Sequence, residues 1–230
     1  MHASIPIHSS QVEAAKRLHG RLQQWKLTDE SLTLLSEQLP GFTPREALIK
    51  ATVINALYGT NVKAIVPVAR HVSGVLQKLN PSSLGPELVE ILASLPEESG
   101  KKYPRFRSFA SKFAHFFIDA ERFPIMDSYS VRMVKMHLGK GNYAPDGDRP
   151  YLAFFFNFKA LKTDTEYGGS NRDLDRYLWL TGEYFAWQKD HKATINVELR
   201  AVFEKPDPET SADLDALIAP ALSKAYRGEL

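Results

Sequence analysis

The chain contains no cysteine. That excludes disulfides, cysteine zinc sites and iron–sulfur clusters, and makes an intracellular, cytoplasmic protein the simpler expectation. It has no long apolar run either. The longest, residues 151–156, is far too short to span a bilayer, so no membrane association is expected. The first residues, Met1-His2-Ala3-Ser4-Ile5-Pro6, have neither a basic start nor an apolar core and do not read as a signal peptide. The seven histidines are scattered, with no His-x-x-x-His, so no metal is expected. Neither Gly-x-x-x-x-Gly-Lys nor Gly-x-Gly-x-x-Gly occurs, so no nucleotide cofactor is expected. Period-two strand patterns, internal repeats and low-complexity tracts are also missing.

What is present is 230 residues, 43% hydrophobic and 24% charged, a composition that folds rather than stays disordered. The net charge of +2 hides an asymmetry. Residues 1–100 carry nine basic and nine acidic side chains, residues 101–163 twelve and five, and residues 164–230 eight and thirteen. The cationic middle includes Lys101, Lys102, Arg105, Arg107, Lys112, Arg122, Arg132, Lys135 and Lys140. Such a segment is the footprint of a polyanion partner, or a solvated face that happens to cluster.

The patterning is helical throughout. Val12, Ala15, Leu18, Leu22 and Trp25 recur at spacings of three and four and predict one amphipathic helix. Residues 32–39 predict a second, ended by Pro40-Gly41. Thr43-Pro44-Arg45-Glu46 is the clearest start signal, with Thr43 as cap, Pro44 at the first helical position and Glu46 completing a capping box. That helix runs to about residue 57. Further helices are expected at about 61–79, with Pro67 bending it or delaying its start, and at 86–95, 108–118, 128–138, 150–161, 172–189, 195–203 and 212–226. Asn171 and Thr194 are candidate caps, the Asp173/Asp175/Arg176 cluster reads as a solvated first turn, and residues 139–149 read as a loop. The expected fold is all-α, about ten helices in two lobes.

The chemistry concentrates in residues 107–134. A helix carrying Lys112, Phe113, His115, Phe116 and Phe117 is followed by a short loop. Phe123-Pro124-Ile125-Met126-Asp127 then opens the next helix. Asp127 stands where an N-cap belongs, and backbone N–H groups with the positive helix end would hold its carboxylate ionised. A carboxylate so fixed stabilises a sugar cation or orients a water at a glycosidic carbon. It is equally the ordinary residue for a cap. Lys112 reads either as a nucleophilic amine or as a phosphate contact. Most of the aromatics, Phe154, Phe155, Phe156 and Phe158 among them, read as core.

This stretch resembles the helix-hairpin-helix DNA glycosylase superfamily, the group of endonuclease III, the adenine glycosylases and the 8-oxoguanine glycosylases. Ser108-Phe109-Ala110-Ser111-Lys112-Phe113-Ala114 stands at the family's Gly-x-Gly-x-Lys-x-Ala hairpin, and Pro124-Ile125-Met126-Asp127 with Val131-Arg132 and Val134 at its aspartate stretch. The resemblance implies a two-lobed helical glycosylase-like fold over residues 1–230. The family core would lie at about 30–138, with extra helices at 1–29 and 139–230. It makes Asp127 the catalytic aspartate and Lys112 the lysine that forms a Schiff base in lyase-competent members. It implies double-stranded DNA as partner, a monomer, and no cofactor. Arg105, Arg107, Ser108, Ala110, Ser111 and Arg132 would bind DNA. A weaker similarity upstream places Leu57, Tyr58 and Asn61 in the loop that fills the gap left by an extruded base. Phe113, His115, Phe116, Tyr184 and Trp187 are candidates for the pocket that receives it.

Two departures stand out. Both hairpin glycines are replaced, by Ser108 and Ala110, and the interval from Lys112 to Asp127 is shorter than the family's. The implied function is excision of a damaged base in repair, or of a modified phage base in defence. A non-catalytic DNA-binding protein on the same scaffold and an RNA-directed helical protein are the alternatives.

Overall fold

A computed structural model describes residues 4–79, 84–97, 100, 102–139, 142–144, 147–165, 167–218 and 220–227. Lys101 and Lys140 of the cationic segment fall outside the described residues. Twelve helices and no strand occur among the described residues: α1 (Ser9–Arg21), α2 (Gln23–Gln38), α3 (Pro44–Leu57), α4 (Ile65–Lys78), α5 (Glu87–Ala93), α6 (Arg107–Phe117), α7 (Ser128–Leu138), α8 (Pro150–Asp164), α9 (Asn171–Lys189), α10 (Val197–Glu204), α11 (Pro208–Leu217) and α12 (Pro220–Arg227). The protein is all-α.

The chain divides into two compact units. Unit 1 comprises Met1–Leu27, Asp127–Pro145 and Phe156–Leu230; unit 2 comprises Thr28–Met126 and Asp146–Phe155. The chain enters unit 2 after Leu27, returns to unit 1 at Asp127, and crosses twice more, before and within α8.

The sequence signals act as local physics requires. Thr43 and Glu46 cap α3 reciprocally: Thr43 Oγ1 accepts from Glu46 N (3.4 Å), and Glu46 Oε2 accepts from Thr43 N (2.8 Å). α4 starts late, at Ile65, which places Pro67 in the first turn where its missing N–H costs nothing. Other expectations are corrected. The helix read through 12–25 is two helices, because Leu22 turns to an extended conformation (ψ 97°) between α1 and α2. Leu22 stays buried in either arrangement, so apolar spacing could not reveal the break. The helix read at 212–226 is also two. Asp207 caps α11 at Thr210 N (2.7 Å) with Pro208 at its first position, and Pro220 begins α12. The caps of α9 and α10 are Ser170 and Asn196, not Asn171 and Thr194. Asp175 is buried rather than solvated, whereas Asp173 pairs with Arg176 (3.1 Å).

In unit 2, α3 packs on α4 and α6, and α5 on α4 and α6. Ala47, Ala51, Ile54, Val68, Val72, Leu88, Leu92, Phe109 and Phe113 form its core. A lysine is buried there too. Lys50 Nζ donates to Gly41 O (2.9 Å) and lies over the rings of Phe42 (4.2 Å) and Phe117 (5.1 Å). Burial pushes its ammonium below the ordinary lysine range.

In unit 1, α9 is central, with α1, α7 and α10 against it, α11 on α1 and α12 on α7. Val12, Ala15, Leu18, Met133, Val134, Leu174, Tyr177 and Leu178 fill the core. A polar chain runs through it. Ile5 N donates to His137 O (2.7 Å), and His137 Nδ1 faces Ile5 O (2.9 Å) while Nε2 faces the Tyr177 hydroxyl (3.0 Å). A carbonyl only accepts, so Nδ1 carries the proton and Nε2 accepts from Tyr177. Gln11 Nε2 bonds both the Tyr177 hydroxyl and Leu217 O, at 3.1 Å each. His137 thereby ties the N-terminal segment to α7 and α9.

Burial holds the His137 imidazole at about 4, against an ordinary 6.5. The unfolded chain therefore takes up this proton first, and the stabilising contribution is complete above about pH 6.5 and is lost as pH falls toward 4. Urea unfolding at pH 7 and pH 5 should show the wild type losing roughly 2 kcal/mol more stability than His137→Gln over that interval. Equal losses in the two proteins would contradict this account.

Candidate functional site

Asp127 caps α7. Its backbone is extended (φ −137°, ψ 179°), and Oδ1 accepts from Tyr129 N (3.1 Å) and Ser130 N (2.9 Å). No other acidic residue occupies the first turn of α7, so Asp127 supplies the negative charge at the positive end of the helix. The side chain is half-buried.

Against this end of α7 lies the middle of α9, and a glycine sets how closely. A Cβ added to Gly182 would stand 2.7 Å from Tyr129 Cβ and 3.2 Å from Tyr129 Cα. The next residue, Glu183, is only 6% exposed. Its Oε2 is buried without a partner. Burial, and then the charge of Asp127, push the Glu183 carboxyl up to about 8, with the Tyr129 hydroxyl acting the other way. Glu183 is thus mainly protonated at neutral pH. Burial, and then the charges of Glu183 and Asp127, push Tyr129 up to about 12, with Arg132 acting the other way, so its hydroxyl remains a donor. That hydroxyl donates to Thr194 O (3.4 Å). Asp127, Tyr129 and Glu183 all belong to unit 1: Tyr129 N donates to the Asp127 cap, and Gly182, next to Glu183, packs on Tyr129.

Sequence reading missed Glu183. A signal existed: an acid on the apolar stripe of α9, three residues after Leu180, directly after a glycine in the middle of a helix.

The other expected residues divide between the units. In unit 2, Lys112 is buried in α6. Its Nζ donates to Ser108 Oγ (3.0 Å) and lies 5.8 Å from the centre of the Tyr58 ring. The expected hairpin is not formed. α6 is already helical at Arg107, and Ala110 N donates to Phe106 O (2.9 Å). Positive φ among the described residues is confined to Gly59, Asn61, Gly100, Gly139 and Gly147, so positions 108 and 110 do not require glycine. Ala110 and Ser111 are fully buried and offer no surface to DNA. Ser111 Oγ instead accepts from Met126 N (3.1 Å), which fixes the segment ending just before Asp127.

Arg107 is not a free cation. Its Nε bonds the buried Glu90 carboxylate (2.9 Å), which also accepts from Tyr151 N (2.7 Å). Arg105 is exposed and reaches Asp148 O (3.2 Å). In unit 1, Arg132 is exposed on α7.

The loop after α3 is built on one side chain. Asn55 Oδ1 accepts from Val62 N (2.9 Å) and the Thr60 hydroxyl (2.8 Å), and Nδ2 donates to Val62 O (3.2 Å). This clamp holds Asn61 exposed in the left-handed region (φ 55°). Leu57 is 42% exposed, whereas Tyr58 is half-buried against Phe116 (5.3 Å).

Two base-pocket candidates are core. Phe113 is fully buried between Phe109 (5.9 Å) and Phe117 (5.1 Å), the helical stripe that faces the core of unit 2. His115 is buried and directs Nδ1 at Phe123 O (3.0 Å). Phe116 is partly exposed beside Tyr58. In unit 1, Tyr184 and Trp187 stack (5.8 Å, 17°), with Phe203 against both. No group of three metal-binding side chains occurs among the described residues, and no described helix is long and apolar enough to cross a membrane.

Comparison with known proteins adds sparse information. Residues 10–121 match a family model, HI_0787_N, described as an N-terminal domain. Over 132 residues the chain is 33% identical to an uncharacterized protein of Haemophilus influenzae, a match covering 56% of this chain and 62% of that protein. No solved structure matches.

The contact at Gly182 is testable by substitution. Gly182→Ala should destabilise the protein by about 1–2 kcal/mol, because overpacking α7 against α9 outweighs the helix-propensity gain of about 1 kcal/mol. Gly20→Ala, in α1 with nothing within 4 Å of the added Cβ, should stabilise by up to about 1 kcal/mol. Urea denaturation of both checks the opposite signs.

Proposed function

We propose that this protein is a DNA glycosylase of the helix-hairpin-helix type, divergent in its hairpin, that extrudes a damaged or modified base and hydrolyses its N-glycosidic bond to leave an abasic site. The observation that carries this reading is the Asp127 carboxylate at the mouth of α7, with the buried, largely neutral Glu183 beside it. A fixed anion stabilises positive charge developing on deoxyribose as the base departs, and directs a water to C1′.

Phosphates would be held by the exposed Lys102, Arg105 and Arg132, and by the first-turn N–H groups of α6, whose cap residue Phe106 makes no side-chain bond. Arg107 braces Glu90 and the start of α8. Asn61, with the exposed Leu57, is the best-shaped element to enter a duplex, since the Asn55 clamp fixes the turn that presents it. Phe116, Tyr184 and Trp187 remain available for stacking on the base. Lys112 acts through Ser108 at a phosphate, or attacks C1′ as an amine, expelling the base and forming an imine.

One observation favours the non-catalytic alternative: Oδ1 of Asp127 makes both bonds of an ordinary cap. Asp127→Asn separates the two, because Asn caps nearly as well but carries no charge. The test is base release from lesion-bearing duplexes and from modified phage DNA, read by alkaline cleavage and by mass spectrometry of the freed base. Release should fall at least about a hundredfold in Asp127→Asn, with stability within about 0.5 kcal/mol of wild type. Undiminished release would remove Asp127 from the mechanism. Binding without any release would leave the non-catalytic reading. An adduct trapped by borohydride and lost in Lys112→Gln would identify the imine.

A further inference from the structure

In unit 2, α6 carries a buried amine to a partly exposed hydroxyl. Of its residues, Arg107, Ser108 and Phe116 keep part of their surface in solvent, and the rest are buried. Lys112 is only 5% exposed. Long helical side chains run back toward the N-terminus, and Lys112 Nζ donates to Ser108 Oγ (3.0 Å), one turn earlier. The other serine of α6 is committed elsewhere: Ser111 Oγ donates to Ser108 O (3.1 Å) and accepts from Met126 N (3.1 Å). Ser108 stands ahead of the bond from Ala110 N to Phe106 O (2.9 Å) that opens the helix. The N–H groups of Arg107, Ser108 and Phe109 therefore have no i−4 carbonyl within α6, and the Phe106 side chain does not cap them. We propose that Ser108 and Lys112 are a nucleophile and its base, and that unit 2 hydrolyses short carboxylic esters through an acyl-Ser108 intermediate. The assignment stands on α6 and does not rest on the glycosylase reading.

A serine hydroxyl is a weak nucleophile until a neighbouring group takes its proton. A lysine amine can do so where it is sheltered from water and touches the hydroxyl, and Lys112 meets both conditions. In its neutral form the amine takes the Ser108 proton as Oγ bonds the ester carbonyl carbon. The carbonyl oxygen becomes an oxyanion, which the first-turn N–H groups and the positive end of α6 stabilise. The ammonium then gives its proton to the leaving alkoxide as the ester C–O bond breaks, and the acyl group stays on Ser108. Water reverses the transfer. Lys112 takes one of its protons, its oxygen bonds the acyl carbon, Ser108 leaves and recovers a proton from Lys112, and a carboxylic acid departs. Lys112 Nζ lies 5.8 Å from the centre of the Tyr58 ring, within cation–π reach, so the ammonium formed at each stage has an aromatic face to meet. Tyr58 packs on the partly exposed Phe116 (5.3 Å), and these two rings offer the acyl chain an apolar contact. Arg107 is held by Glu90 (2.9 Å) and leaves the hydroxyl to Lys112.

The test uses the full chain and a fluorophosphonate, whose phosphorus bonds an activated serine oxygen as fluoride leaves. Mass spectrometry of the digested protein should place the adduct on Ser108. Ser108→Ala should carry no adduct. Lys112→Met, which keeps the stem and removes the amine, should label at least about a hundredfold more slowly than wild type. Hydrolysis of p-nitrophenyl butyrate above the spontaneous rate should fall by at least about a hundredfold in both variants. Lys112→Arg keeps a cation that cannot act as a base and should lose as much; it carries the comparison if circular dichroism shows Lys112→Met to be unfolded. Ser108 labelling that the Lys112 variants leave unchanged, an adduct confined to other residues, or no adduct on wild type overturns the proposal.

Discussion

The contact of Gly182 with Tyr129 is the constraint on which the candidate site depends. No other residue allows the α7 backbone so near α9, since even one methyl group would overlap Tyr129 Cβ. The contact fixes Tyr129, whose N–H holds Asp127 and whose hydroxyl donates to Thr194 O. It also buries Glu183, from which the acid's neutral state follows. A packing detail thus becomes an electrostatic one: helix separation sets burial, burial sets protonation, and protonation sets the charge beside Asp127.

The cationic middle of the chain does not survive folding as one surface. Lys112 is buried and Arg107 is committed to Glu90, while Lys102, Arg105 and Arg132 are exposed. Charge counts along a sequence cannot make that distinction. A salt bridge between residues 17 positions apart leaves no local signature, and a lysine on an otherwise apolar helix face reads like any solvated one.

The same contrast governs what was legible. Helix existence was readable because it rests on local signals, such as the Thr43/Glu46 box and the Asp127 cap, that act within one turn. The breaks at Leu22 and Ile218 were not, because both residues are buried or half-buried and fit the apolar pattern on either side of the break. The division into units was hidden as well, since α2 and α8 each run through a boundary without a Gly- or Pro-rich linker. Among the candidate residues, Asp127 stood out as a cap, Lys112 by its motif, and Asn61 by its position after a helix break. Glu183 did not, because its partners are some 55 residues away and only the α7–α9 packing unites them. Ser108 and Ala110 stand on a helical backbone, which needs no left-handed residue.

An acid buried like Glu183 carries a thermodynamic burden. Its proton is held to about pH 8 in the fold and to about 4.5 in the unfolded chain, so at pH 7 folding must keep neutral a group that water would ionise. The cost is on the order of 3 kcal/mol, present at neutral pH and relieved as pH falls toward 4.5. His137 has the opposite slope, since its buried neutral ring loses its stabilising effect in the same direction. The two are not alike in purpose. His137 is fully bonded, and its polar atoms serve to tie Ile5 and Tyr177 together. Glu183 leaves Oε2 buried without a partner. Proteins carry such uncompensated burial chiefly where chemistry or binding uses it, and here the acid lies beside the single carboxylate placed at the mouth of α7.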